Sequence, residues 1–359
     1  MKTKQNPKKI ETIQVKPVTP KPEQLDLFRT VSAQHYTNAF SFYESIPRFV
    51  VARGAQKFIK WNQDGTAAPL TRKFSFQTQN YELVIVPSYI RQPDRTLKAQ
   101  FPWVREEVLE FALLRMATLG NFLNENEKKA EDKISFTLKT TLYRIRKELE
   151  SVQTTRGKKR TYSYAQIKEG LFVLSGSRIQ IEDSQWSNVV ACNLISDFGY
   201  SSAKGSKEGR DTSVYIRFNS LITESVLSKK WRQVNYTAIM SESSYLGRWL
   251  RKQLGLKFIQ ADTTKTYTIK LSTIIQNSGI VPYSKKSQNL FALEKVLKDM
   301  DDIIRKYDIE RIYGTDKGRI LLDARITIYP TRDFMIEQIY GNQQNGLLNP
   351  SKMKKTPKC

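Results

Sequence analysis

Histidine is almost missing from this chain: His35 stands alone among 359 residues. An enzyme that nicks DNA with tyrosine and a metal-holding His-hydrophobe-His pair cannot be built from it. Tyrosine recombinases, which lean on histidine near the cleaved phosphate, are poorly served too, since His35 lies in a polar stretch and reads as a surface residue. Cysteine is nearly as scarce. Cys192 and Cys359 are far apart and, with one histidine, cannot complete a four-ligand zinc site; Cys192, within NVVACNLI, reads as a small buried apolar residue. A phosphate-cradling G-x-x-x-x-G-K-[ST] loop is also lacking, because GSKEGR (205–210) and GTDKGR (314–319) both stop short of it. The acidic run DMDD (299–302) reads as the solvated face of a helix rather than a metal site. No catalytic residue, metal or cofactor is therefore expected. There is no run of about 18 apolar residues and no signal-peptide pattern, so neither a membrane partner nor export is expected, and the protein is expected in the cytoplasm.

Acidic residues are the next shortage. Lys and Arg number 59 against 35 Asp and Glu, a net charge of +24, which favours a polyanionic partner that releases counterions on binding. Double-stranded DNA is the leading candidate and anionic lipid the rival. Hydrophobic residues at 39% suffice for a core, and the length suggests two or three domains.

Residues 1–35 form a Lys- and Pro-rich segment with few large apolar groups, expected to be a disordered tether. The far end, 341–359, has the same character. Between them, FSFQTQNYELVIVPSYI alternates like strands. REEVLEFALLRMATLGNFL (105–123) then sets Val108, Leu109, Ala112, Leu113, Met116 and Leu119 at helical spacing, with Gly120 as a stop. Two shorter helices follow, LKTTLYRIRKELE (138–150) and SYAQIKEGLFVLSGS (163–177), the second opened by Ser163 as N-cap. SRIQIED, SNVVACNLISDFGY and TSVYIRF alternate like strands, and the last two flank a basic loop. Helices followed by such a hairpin describe a winged helix-turn-helix. The order repeats. SSYLGRWLRKQLGLKF (243–258) carries Leu246, Trp249, Leu250 and Leu254 on one stripe with Arg248, Arg251 and Lys252 off it. LSTIIQNSGI closes at Gly279, SKKSQNLFALEKVLKDMDDIIRKY is a third helix, and ERIYGTDKGRILLDARITIYP is a hairpin. The expected architecture is α+β, with two tandem winged helix-turn-helix domains (70–218 and 219–340) after a disordered basic tail; one larger α+β domain is the alternative.

In such a module the N-terminal residues of the reading helix meet base edges in the major groove while the hairpin clamps the backbone. In the second module those residues are Lys285, Lys286, Ser287, Gln288 and Asn289. In the first they are Ser163, Tyr164, Gln166 and Lys168, preceded by Arg156, Lys158, Lys159 and Arg160. Lys204, Lys207 and Arg210, then Lys317 and Arg319, are the candidate hairpin clamps. Each alone is equally consistent with an ordinary solvated charge.

One segment of the N-terminal tail does not fit a plain tether. Residues 24–28 read QLDLF, apolar anchors in a polar context, as a flexible docking peptide or a strand that folds onto its own domain would show. All five positions resemble the clamp-binding pentapeptide of bacterial replication and repair proteins. That resemblance implies that Gln24 hydrogen-bonds at the rim of the sliding clamp's pocket and Leu25, Leu27 and Phe28 fill it, with Asp26 at the remaining motif position. Together with two winged helices, the chain resembles the TrfA-type plasmid replication initiators. The family implies binding to origin repeats (iterons), opening of a neighbouring AT-rich region, recruitment of the replicative helicase, host initiator and clamp, and a switch between dimer and monomer. A winged-helix transcriptional regulator is the other reading of the same modules.

Overall fold

The computed structural model describes residues 35–51, 59–92, 94–119, 122–124, 136–154, 157, 160–183, 188–202, 209–210, 212–228, 230–314 and 320–344. It opens on a strand, β1 (Tyr36–Phe40), that runs straight into a single helical turn, α1 (Ser41–Ser45). Two hairpins follow, β2 (Leu70–Phe76) with β3 (Gln79–Val86) and β4 (Ser88–Arg91) with β5 (Leu97–Gln100). The first block proper contains helix α2 (Val104–Thr118), strands β6 (Phe122–Asn124) and β7 (Phe136–Thr141), and helices α3 (Leu142–Glu150) and α4 (Tyr164–Gly176). It ends with β8 (Arg178–Asp183), β9 (Val189–Asn193), β10 (Ile195–Ser202), β11 (Thr212–Phe218) and helix α5 (Ser220–Leu227). The second block starts again with a strand that becomes a short helix, β12 (Trp231–Asn235) and α6 (Tyr236–Ser241). It continues through α7 (Tyr245–Lys257), β13 (Tyr267–Lys270), α8 (Leu271–Ser278), α9 (Lys286–Lys298), β14 (Ile304–Tyr313), β15 (Leu321–Pro330) and α10 (Arg332–Gln344).

The two blocks repeat one topology. Helix, strand, helix, helix, strand, strand, helix is spelled by α2-β7-α3-α4-β10-β11-α5 and again by α7-β13-α8-α9-β14-β15-α10. Their sheets have the corresponding order, β10-β11-β7 and β14-β15-β13, with the last strand in the middle of each. Period-two burial fixes the register: Val214, Ile216 and Phe218 on β11, and Ala324, Ile326 and Ile328 on β15, all point inward. The first block also carries an insertion, since β8 and β9 leave it to extend the β2–β3 hairpin into a sheet ordered β2-β3-β8-β9. Every pair of named strands is antiparallel, as an α+β chain built from hairpins requires.

The blocks are joined at their starts. β1 pairs antiparallel with β12, from Tyr36 opposite Asn235 to Phe40 opposite Trp231. Asn277 at the end of α8 adds a second link, its side chain accepting from the Ser75 amide at 3.0 Å and donating to the Ser75 carbonyl at 3.2 Å. One hydrophobic cluster runs through both blocks, including Phe111 and Leu113 of α2 together with Trp249 and Leu250 of α7.

Several elements differ from their sequence expectation. The helix expected over 105–123 ends at Thr118, and Leu119 is exposed just beyond it; Gly120 lies outside the described residues. The acidic run at 299–302 is not a helix face, because α9 stops at Lys298 and the four residues form the turn into β14, where Asp302 accepts two bonds from Arg251 at 2.7 Å. Cys192 is half-buried on an outer strand, its thiol pushed up to about 11 by that burial and by nearby Glu110. The tail expected from 341 does not begin there, and residues 345–359 lie outside the described residues. Gly341 and Asn342 belong to α10 and are buried, with the Asn342 amide accepting from Arg232 and donating to the Ile259 carbonyl at 2.9 Å. That stretch is polar, so no apolar periodicity announced a helix.

Candidate nucleic-acid interface

The N-terminus of α9 is built to face outward. Ser284, Lys285, Lys286, Ser287 and Gln288 are all exposed, and Lys285 occupies the N-cap position without a side-chain cap bond. Asn289 corrects the sequence expectation. It is buried, its Oδ1 accepts from the Tyr283 amide at 2.9 Å, and its Nδ2 donates to the carbonyls of Tyr283 at 3.0 Å and Lys285 at 3.2 Å. The amide closes the turn that launches α9, and with both its donors engaged and its side chain buried it is not presented to a base edge. Lys286 reaches across to the Leu322 carbonyl at the start of the facing strand, tying the helix to the hairpin. A groove of about 850 Å³ runs between α9 and β14–β15, and the exposed Phe291 on α9 stands in it.

The corresponding surface of the first block centres on α4. Ser163 caps it, its Oγ accepting from the Gln166 amide at 3.1 Å while Gln166 Oε1 accepts from the Ser163 amide at 2.9 Å. This reciprocal cap makes both residues structural as well as exposed. Tyr164 is half-buried, and the base of the β10–β11 loop packs on its ring at Gly209. Gly209 has φ +95°, and a Cβ there would fall on the Tyr164 ring atoms, so only glycine fits. Next to it, Arg210 is exposed over the Tyr143 ring at 5.5 Å, and Lys168 lies over the Tyr200 ring at 5.1 Å. Aromatic rings thus hold two cations beside the helix and its hairpin. Arg144, which sequence reasoning passed over, is exposed on α3 and lines one pocket with Lys139 of β7 and Tyr200 of β10.

Arg160 is the second correction. It turns inward and donates to the carbonyls of Met240 and, at 2.9 Å, Glu242. Burial, with Arg248 beside it, holds its pKa below the usual arginine value. It joins the blocks rather than facing a ligand. Arg156, Lys158, Lys159, Lys204, Lys207, Lys317 and Arg319 lie outside the described residues, as do Gln24, Leu25, Asp26, Leu27 and Phe28.

Behind both surfaces is a buried ionic network that composition alone conceals. Glu107 and Glu110 of α2, Glu44 of α1 and Arg248 and Lys252 of α7 are all buried. Arg248 contacts Glu107 at 2.8 Å, Lys252 bridges Glu44 at 3.2 Å and Glu107 at 3.3 Å, and Arg48 holds Glu110 at 2.6 Å. Burial alone would raise the carboxyls, but Lys252 with Arg48 lowers Glu44, and Arg248 with Lys252 lowers Glu107. Glu110 stays raised, because burial outweighs Arg48. Arg248, Arg251 and Lys252, off the apolar stripe of their helix, are spent here and are not free to meet an outside polyanion.

Among the described residues no group of three or more His, Cys, Asp and Glu side chains could hold a metal ion, and no helix is long and apolar enough to cross a membrane. The chain matches no protein-family model and no curated protein sequence. It is similar to several solved structures, among them the following three. Selenomethionine domains 2 and 3 of RctB match with a TM-score of 0.44 and 11% identity, over 73% of this chain and 91% of that one. A second structure of RctB domains 2–3 matches at 0.41 and 13%, over 80% and 100%. The Pi initiator protein in complex with iteron DNA matches at 0.40 and 14%, over 64% and 91%.

Proposed function

We propose that each block is a winged helix-turn-helix, that the two act in tandem on double-stranded DNA of specific sequence, and that the protein is a replication initiator at a plasmid-type origin. The observation that carries this reading is the repeated topology itself. In both blocks the helix before the hairpin exposes polar side chains in its first turn, Gln166 on α4 and Lys286 to Gln288 on α9. A helix of that kind is admitted by the major groove, and a chain carrying +24 supplies the counterion release that drives phosphate binding. Two reading helices in one chain call for a site of roughly 15–20 base pairs, from two major-groove contacts about one turn apart.

The initiator role, with repeat binding, origin opening and recruitment of helicase and host initiator, rests on the resemblance of QLDLF (24–28) to the clamp-binding pentapeptide. A transcriptional regulator built from the same modules needs no such peptide. Two measurements separate them. Footprinting on the DNA flanking the protein's own gene is expected to protect several copies of one short sequence; no protected repeats would sink the initiator reading. A pull-down with purified bacterial sliding clamp is expected to retain the wild type and lose the Leu27→Ala, Phe28→Ala variant, with DNA affinity unchanged. Retention of neither removes the clamp from the proposal and leaves the regulator, whereas retention of both removes QLDLF as the clamp ligand.

A further inference from the structure

Phe291 is 72% exposed, more than any other large apolar side chain among the described residues. It lies four positions after Ser287 and three after Gln288, so the three share one face of α9. Opposite it, on the hairpin, Ile320 and Leu322 are also exposed, and they line the same groove as Ser287 and Phe291. An exposed apolar cluster at the mouth of a groove marks an interaction site. Its charge says which kind: Lys285, Lys286 and Arg311 edge the groove, while its one acid, Glu294, is neutralised by Arg311 at 2.8 Å. A second copy of this basic chain is repelled by such a rim, whereas a duplex is attracted.

A duplex offers an apolar ligand at one place in the major groove, the C5-methyl of thymine, which distinguishes that base from the other three. We propose that Phe291 is a specificity residue that reads thymine methyl groups, flanked by Ser287 and Gln288, which read polar base edges. The inference rests on α9 being the DNA-reading helix of the second block. The first block does not share the device. The position five residues into α4, corresponding to Phe291 in α9, is Glu169, held by Arg105 at 3.2 Å and Gln100 at 3.0 Å. Methyl dependence therefore belongs to one half of the site.

The test uses full-length protein and a duplex selected by it from a random-sequence pool, resynthesised with deoxyuridine replacing thymidine one position at a time. Wild type is expected to lose about fourfold in affinity for each methyl it buries, from roughly 0.8 kcal/mol per carbon group, at one or two positions confined to one half of the site. Phe291→Ala is expected to bind thymidine and deoxyuridine duplexes equally, and Phe291→Leu to keep part of the penalty. Because the side chain is mostly in water, unchanged thermal unfolding is expected to confirm that both variants fold. The idea is overturned if no position shows a penalty in wild type, if Phe291→Ala keeps the full penalty, or if Phe291→Ala changes the sedimentation mass of the free protein and not the penalty, which would make the groove a contact between copies. A pool that enriches no sequence overturns the DNA-reading assignment of α9 itself, a different failure from enrichment without methyl dependence.

Discussion

Gln288 and Asn289 are neighbours in sequence and chemically alike, yet the fold gives them opposite work. One hundred degrees of helix separates an exposed amide from one that closes three hydrogen bonds to the backbone of Tyr283 and Lys285. Replacing Asn289 by Ala is expected to cost about 1–3 kcal/mol, since it removes a buried amide that makes three hydrogen bonds to the backbone, and chemical denaturation should show it as a lowered midpoint. Gln288→Ala is expected to leave that midpoint unchanged and to relax sequence choice at one base pair by about 1–3 kcal/mol, read as the affinity ratio between selected and mutated duplexes. Equal stability losses in the two variants would mean that the turn before α9 is not held as described. Residue type alone did not separate them. Leu290 and Leu293 set the inward face, and Asn289 lies beside that stripe, but its backbone partners exist only once the turn at Tyr283 has formed. Phe291 is the converse, an apolar residue off the inward stripe of its helix, whose offset from Leu290 was readable and passed over.

At the scale of elements, strong periodicity was legible. In the second block α7 and α8 fall where their patterns put them, and Gly279, at φ +68°, ends α8 as expected, whereas α9 stops at Lys298 and β14 starts at Ile304, inside the stretch expected to be helical. The first block was harder because β8 and β9 interrupt it to join the β2–β3 sheet, a long-range pairing invisible in local pattern. The link between its hairpin and reading helix was hidden for a similar reason. Gly209 reads as an ordinary loop glycine, but its contact with Tyr164 sets where that hairpin begins. Gly209→Ala adds a Cβ at positive φ against an aromatic ring, and a loss of at least about 1 kcal/mol is expected. Tyr164 and the hairpin base must also shift, so DNA affinity is expected to fall while that of a Gly157→Ala control, at φ +70° with open space around it, does not. Comparable DNA binding by the two variants would detach the hairpin of the first block from recognition.

At the scale of the molecule, the blocks are joined by buried charges that the sequence pattern placed off the apolar stripe, as with Arg248 and Lys252, or did not single out, as with Glu107. Helix α2 looked amphipathic, but β1–β12 pairing and the packing of α7 close over its acidic side, so Glu107 and Glu110 are buried. Their signs on pH differ. Glu44 and Glu107 have folded pKa values below the ordinary 4.5, so the stability they contribute is present above that value and is lost as pH falls through the folded pKa. Glu110, raised instead, contributes stability below its ordinary value that is lost as pH rises through its folded pKa. Protonating Glu44 and Glu107 breaks their ion pairs with Lys252, Arg48 and Arg248, and the urea midpoint of wild type is expected to drop as pH falls below about 4.5. Glu107→Gln leaves Arg248 and Lys252 short of a buried counter-charge, which costs about 3–5 kcal/mol when a buried pair is broken. The variant is therefore expected to have a much lower midpoint at pH 7 and a smaller further drop on acidification, because one of the groups that titrates is gone. An undiminished acid dependence in Glu107→Gln would place the acid-sensitive contacts elsewhere. A low midpoint at both pH values would identify this network as what holds the two blocks together.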